Sequence, residues 1–553
     1  MDIQADKPSM VGSSDEKRVV EANRNHSVAT NASLDEALGQ LGISTKDADE
    51  AFAFLKDHPN ADGVRQEAMA ILADPKATKR LLRKIDFTLV PCMVAVYFLQ
   101  YLDKTTISYA AVMGLRTDTH LVGQDYSNVA MMFYIGFLAA EFPTQYLAQR
   151  ISRLGKYLGV NVMLWGVILS CMAACTSYAG LMVCRTLLGI FEAPVAPILV
   201  LIIAMWYKKE EQGRRVSLSE LAISKQPLER MFALNNEVEA LVFQLSITQI
   251  FGSGVAYGAS FTTSKFASWR IFFLIIGLIT VLIGFGVFML LPDSPVKAVR
   301  FTEAEKVAAL LRVKENQSGT QNAKLKKAQV IESVKDVRVW LVFCGLSNFS
   351  SILLTTFGYT SQQALILNMP TGAVGIFIVL LSGYLSDRWN DRSLVMLICL
   401  IPTIVAAGLM YGLDPDGIPK SKGALLFASY LSGTFGAAFM LLLAWNASNI
   451  AGHSKKVTAN ALTLVGFCTG NILGTQTFQE SEAPGYKSGK IAIVACLTAQ
   501  VCVCFALRYC NDRLNRKNQQ RLAEMSEDET IVREKLAYSD ETDLQNPFFV
   551  YTH

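Results

Sequence analysis

Four ionisable residues stand in otherwise apolar runs of this sequence: Asp103 and Lys104 in FLQYLDKTTISYAAV, and Arg185 and Glu192 in RTLLGIFEAP. A charge at the centre of a bilayer costs at least about 2.5–3.5 kcal/mol even on insertion scales, so such residues usually face a cavity and act there. Arg185 and Glu192 are seven positions apart. At about 100° per residue they return to nearly the same helix face, roughly 10 Å apart along the axis. That is too long for an easy direct ion pair, so each needs another partner or water. Asp103 and Lys104 are adjacent and point about 100° apart, so they cannot both look at one point. Two readings fit these residues. One is local ion pairing between packed helices. The other is an anion site, with Lys104 or Arg185 holding a carboxylate and Asp103 or Glu192 taking and releasing a proton. In a low-dielectric site a carboxylate binds its proton more tightly, and a nearby cation opposes this. An anion that captures the arginine withdraws that cation and favours protonation, which couples the two events.

The elements that must position these groups are membrane helices. Of 553 residues, 51% are hydrophobic and only 18% charged, and the mean hydropathy is +0.31. A net charge of +4 with no basic run interleaved with aromatics excludes nucleic acid as a partner class. Eleven cysteines without paired CxxC spacing or nearby histidines read as small packing residues rather than a metal or disulfide framework. The N-terminus has no apolar core like that of a cleaved signal peptide, so the first membrane helix is expected to direct insertion.

Twelve apolar segments near the roughly 20 residues needed to cross a bilayer lie at 86–114, 127–148, 157–177, 179–207, 241–260, 269–292, 338–357, 365–386, 393–413, 423–444, 457–477 and 489–509. Lysine and arginine concentrate in the even-numbered connections, such as KKEEQGRR and HSKK, which places both ends in the cytosol. The predicted organisation is a cytosolic tail at 1–84, a six-helix half at 85–292, a cytosolic central loop at 293–337, a second six-helix half at 338–510 and a cytosolic tail at 511–553. PTQYLAQRISRLGK after the second helix is echoed by GYLSDRWNDRS after the eighth. Repetition of a six-helix unit is a transporter signature, with the ligand expected between the halves.

Those two loops resemble the signature loop of the major facilitator superfamily, G-x-L-x-D-R-x-G-R-(R/K). Gly383, Asp387 and Arg388 match in the second copy; in the first, Arg150, Arg153 and Lys156 match while Gln149 stands where an acidic residue is usual. The resemblance implies a conformational latch at these residues. YLDKTTISYA, RTLLGIFEAP with WYKKEEQGRR, and WNASNIAGHSKKVTANAL are similar to the fungal allantoate permease family of anion:cation symporters, over roughly residues 80–515. This resemblance implies an all-α membrane protein with the major facilitator fold and no enzymatic activity. It also implies import of a small organic anion with protons, driven by the proton gradient without a cofactor, by a monomer in the plasma membrane. It favours the anion-site reading: Lys104 and Arg185 on the ligand carboxylate, Asp103 and Glu192 in proton coupling. Asn348, Gln249, Trp445, Asn446 and Asn449 are expected to line the cavity, with helix-to-helix hydrogen bonding as the alternative. Competing readings reverse the direction of transport, or take the chain for a non-transporting sensor or an inactive splice product.

Two departures from the family stand out. Residues 216–240 are extra after EEQGRR, and they hold Glu220, Lys225, Glu229, Arg230, Glu237 and Glu239, too many charges for lipid. Val216-Ser217 can be encoded as GTGAGT, a common splice-donor start, so a retained intron would produce this segment. Sequencing of the mature message is expected to find transcripts without it; a message that always carries it makes it a genuine loop. The seventh segment leaves about 19 apolar residues, barely a span.

Overall fold

The computed structural model describes residues 61–151, 153–207, 237–262, 266–314, 327–344, 359–389, 391–414, 420–451, 453–483, 485–523 and 542–552. All regular elements among them are helical. Helix one is Pro75–Val112, two Asp125–Arg150, three Leu154–Met172, four Tyr178–Glu192 continued by Val195–Trp206, five Glu237–Ser260 and six Ser268–Leu290. The second half holds Val337–Cys344 of helix seven, then helix eight as Ser361–Leu367 and Met369–Trp389, and nine as Arg392–Leu413. Helix ten follows as Lys422–Ser432 and Phe435–Asn449, eleven as His453–Gln476 and twelve as Lys487–Ala523. Seven described helical segments are by themselves long and apolar enough to cross a membrane.

Local chemistry sets several helix starts. Asp74 accepts from the Lys76 backbone at 2.9 Å and Asp391 from that of Leu394 at 3.0 Å, while Thr360 and Gln363 form a reciprocal capping box. Helix one begins at Pro75, ahead of the predicted segment, and helix twelve runs on to Ala523, past the predicted end. Both extensions are polar helix outside the apolar core, which hydropathy does not register. Helix five starts at Glu237, so the last residues of the 216–240 segment are helical; the rest of that segment lies outside the described residues up to 236. Residues 345–358 of helix seven, with Asn348, also lie outside them.

Helix six is apolar all round, burying Phe272, Phe273, Ile276 and Val287 and exposing Leu278, Leu282, Phe285 and Met289 on the opposite side. This is the pattern of a helix between a protein core and lipid. Helix three lies so close to it that a Cβ on Gly159 would stand 2.7 Å from the Phe288 Cα. Small residues at such crossings let backbones approach. The ten cysteines whose side chains are described are free; Cys175 and Cys184 bring their sulfurs to 3.7 Å.

The halves meet where helix five packs on helix eight and helix two on helix eleven. Hydrogen bonds join them at one end of the bundle: Gln249 donates to Asn368 at 3.2 Å, Asn368 to Ser253 at 3.3 Å and Gln476 to Asn128 at 3.0 Å. We call the other end, which carries the central and C-terminal segments, the terminal face.

Candidate functional site

Helices one, three and four build the site. Asp103 is fully buried, and its carboxylate accepts from Trp165 Nε1 on helix three at 2.9 Å and from Thr106 Oγ1 at 3.2 Å. Lys104, one position on, turns to helix four, where its Nζ stands 2.8 Å from Glu192 Oε1. The approach is an ion pair rather than an aligned hydrogen bond, and neither Glu192 oxygen has a hydrogen-bond partner among the described residues. The 100° offset between adjacent residues thus sends the acid to helix three and the base to helix four.

Arg185 is 2% exposed, and its Nε and Nη2 meet no acceptor among the described residues. Asp103, Tyr126, Tyr134 and Glu192 lie within its electrostatic reach. Tyr134 in turn touches the Phe467 ring of helix eleven at 6.2 Å, so the site borders the seam between the halves. Helix four breaks directly after Glu192: its first piece ends there, Pro194 caps the second, and Val195 restarts it. Proline has no backbone N–H to continue the ladder, which frees the chain beside the carboxylate.

As the seven-residue spacing requires, Glu192 finds its partner on another helix. Glu192 contacts Lys104 directly, whereas Nε and Nη2 of Arg185 meet no acceptor among the described residues. Glu141 on helix two is buried, at 2% exposure; Gln145 donates to one oxygen and the other has no partner among the described residues.

In the second half Trp445 is buried with its Nε1 unpartnered among the described residues, and Asn446 donates to Thr463 on helix eleven at 3.1 Å. Asn449 is turned to the terminal face: its Oδ1 accepts from the Thr552 backbone at 2.8 Å and its Nδ2 donates to the Trp445 carbonyl at 2.9 Å. Of the predicted latch, Arg150 is exposed and bonds the Tyr146 hydroxyl, and Arg153 is exposed before helix three. The Lys156 backbone donates to Asp293 at 3.1 Å; Gly383 is buried, and Asp387 and exposed Arg388 lie at the end of helix eight.

Sequence reasoning missed a second ionic cluster. Lys455 Nζ stands 2.9 Å from Asp543, 3.0 Å from Glu332 and 3.1 Å from Asp336, while Arg338 Nη2 reaches Asp336 at 2.6 Å and Asp543 at 2.5 Å. The cluster docks residues 542–552 onto helices seven, ten, eleven and twelve, helped by Asn511, Asn515 and Asn518, which donate to the carbonyls of Thr552, Tyr551 and Phe549. Burial pushes the Asp336 carboxyl up, but the hydrogen bonds and charge of Arg338, with that of Lys455, outweigh it and hold it below the ordinary value. A carboxyl depressed in the fold stabilises it fully above its unfolded value, and the contribution is lost as pH falls through the folded one. Docking is therefore expected to hold at neutral pH and to weaken only below the ordinary aspartate range. Asp543→Asn leaves two buried cations short of an anion, at a cost of about 3–5 kcal/mol. The expected result is loss of protease protection at the C-terminal segment; unchanged protection contradicts the role given to Asp543.

The family described as Major Facilitator Superfamily matches residues 93–224 and 240–475. The chain belongs to that superfamily. Within it, this facilitator falls in the fungal allantoate permease family. It is 34% identical over 510 residues to the allantoate permease of Saccharomyces cerevisiae, covering 88% of this chain and 89% of that one. It is 32% identical over 536 residues to the uncharacterized transporter C1773.15 of Schizosaccharomyces pombe, covering 93% and 97%. Its fold is similar to that of a bacterial homolog of the human lysosomal transporter Spinster in an inward-facing, unoccupied conformation, with TM-score 0.55 and 15% identity over 76% of this facilitator and 96% of that chain. The family match omits 225–239, inside the segment that reads as an insertion.

Proposed function

We propose that this facilitator imports a small carboxylate-bearing nutrient together with protons across the plasma membrane, with the terminal face in the cytosol. The observation that carries the reading is Arg185, a buried guanidinium with two N–H-bearing nitrogens facing no acceptor among the described residues. A planar fork of donors matches a carboxylate, and the bond is charge-assisted. Asp103, fixed by Trp165 and Thr106, supplies a negative field that keeps Arg185 tolerable while the site is empty. A carboxylate seated on Arg185 cancels the cation facing Asp103 and Glu192, and a proton on Glu192 then restores neutrality and releases Lys104. Glu192 is as buried as Asp103, and what suits it to exchange is its partner Lys104, which is 22% exposed. The bonds between the halves at the face opposite the termini support a molecule closed toward the outside.

The test is uptake of labelled allantoate, nicotinate, pantothenate, biotin and short dicarboxylates into a transporter-deficient yeast, at acidic and neutral pH, with and without a protonophore. Saturable, acid-stimulated, protonophore-sensitive entry of one compound is expected. No entry of any, with the protein at the cell surface, overturns the import reading.

A further inference from the structure

Between Lys327–Lys335, the start of helix seven and the extension of helix twelve lies a groove of about 1030 Å³, which opens on the terminal face. Its ionisable lining is unequal. Glu332, Asp336 and Arg338 are consumed by the docked C-terminal cluster. Lys335, Arg513, Arg516 and Lys517 also line it; each is exposed, and none forms an ion pair with a carboxylate among the described residues. Four cations in one groove, unpaired among the described residues, attract a polyanion.

Helix twelve shows what kind. Phe505, Tyr509, Arg513 and Lys517 follow at intervals of four, about 6 Å of rise and about 40° of turn each, along a stripe that winds about a third of the way round the helix. Phe505 and Tyr509 are 57% and 68% exposed, and the two cations come next. Across the groove Ile331 and Val337 are exposed beside Lys335. An apolar surface that passes into a cationic one within a few turns has the profile of a lipid, acyl chain first and headgroup after.

We propose that this groove binds the phosphate-bearing headgroup of an anionic lipid of the cytosolic leaflet, held by Lys335, Arg513, Arg516 and Lys517. Basic pockets between membrane helices on the cytosolic side recognise such headgroups. The proposal rests on the cytosolic placement of the terminal face but not on the transported substrate, so its test reads binding and not flux.

Purified full-length protein in micelles is titrated with phosphatidylinositol 4-phosphate, with phosphatidylcholine, and with inositol hexakisphosphate or inorganic phosphate, following intrinsic fluorescence and the unfolding midpoint. The expected result is saturable binding of the anionic lipid, weakened at least about tenfold by R513Q/K517Q, with phosphatidylcholine inert. The control R80Q/R83Q removes two exposed cations near the start of helix one and is expected to change affinity less than about twofold. If the soluble phosphates bind as tightly as the lipid and are lost in the same variant, the phosphate site stands but its lipid source is overturned. No saturable binding, or equal weakening in the control, overturns the site itself.

Discussion

Replacing Arg185 with glutamine is expected to abolish uptake while leaving the protein at the cell surface. The guanidinium is the one cation of the site without a salt-bridge partner among the described residues, since Lys104 is already paired with Glu192. A buried carboxylate that loses its charged partner costs about 3–5 kcal/mol, which corresponds to a fall in apparent affinity of about a hundredfold or more. Arg185→Lys separates charge from shape. It keeps the cation but loses the fork of donors, so it recovers part of the affinity and none of the bidentate geometry. Saturable uptake by Arg185→Gln at unchanged affinity would remove Arg185 from the binding role.

The second large effect belongs to Glu192→Gln. If Glu192 carries the proton, the variant loses concentrative uptake but still exchanges external for internal substrate, because the binding arginine is intact. For one monovalent anion moved with one proton, the parent accumulates about tenfold per unit of pH difference, since one unit corresponds to about 1.4 kcal/mol. The variant is expected to equilibrate and stop, with its rate indifferent to external pH. Lys104 then lacks its partner, so Lys104→Met/Glu192→Gln is expected to restore surface expression where the single variant falls short. Retained accumulation in Glu192→Gln would assign the proton to another acid, with buried Glu141 next to be tested.

The membrane segments are legible in the sequence because hydropathy reports burial in lipid directly, and Pro194 marks the break in helix four through its missing backbone donor. The polar end of helix twelve is not, because it is helical without being apolar. The break in helix ten, where Thr434 bonds Thr403 at 2.7 Å across to helix nine, is a tertiary contact without a local signal. At the site, spacing along helix four shows that Arg185 and Glu192 each need a partner but not which. Lys104 meets Glu192 only because helix one approaches helix four, and Trp165, the partner of Asp103, lies in an apolar run that gives no hint of a polar role. The terminal-face cluster is invisible for the same reason: Arg338 and Asp543 are 205 positions apart, and no periodicity spans that distance.

The most direct test of proton-coupled carboxylate transport is made in liposomes that enclose a pH-sensitive dye and contain purified protein. The transported carboxylate is added outside without a pre-set gradient. The account predicts that the lumen acidifies as labelled substrate enters, in fixed proportion, in the parent but not in Glu192→Gln. Substrate entry into the parent without any change in luminal pH would contradict it.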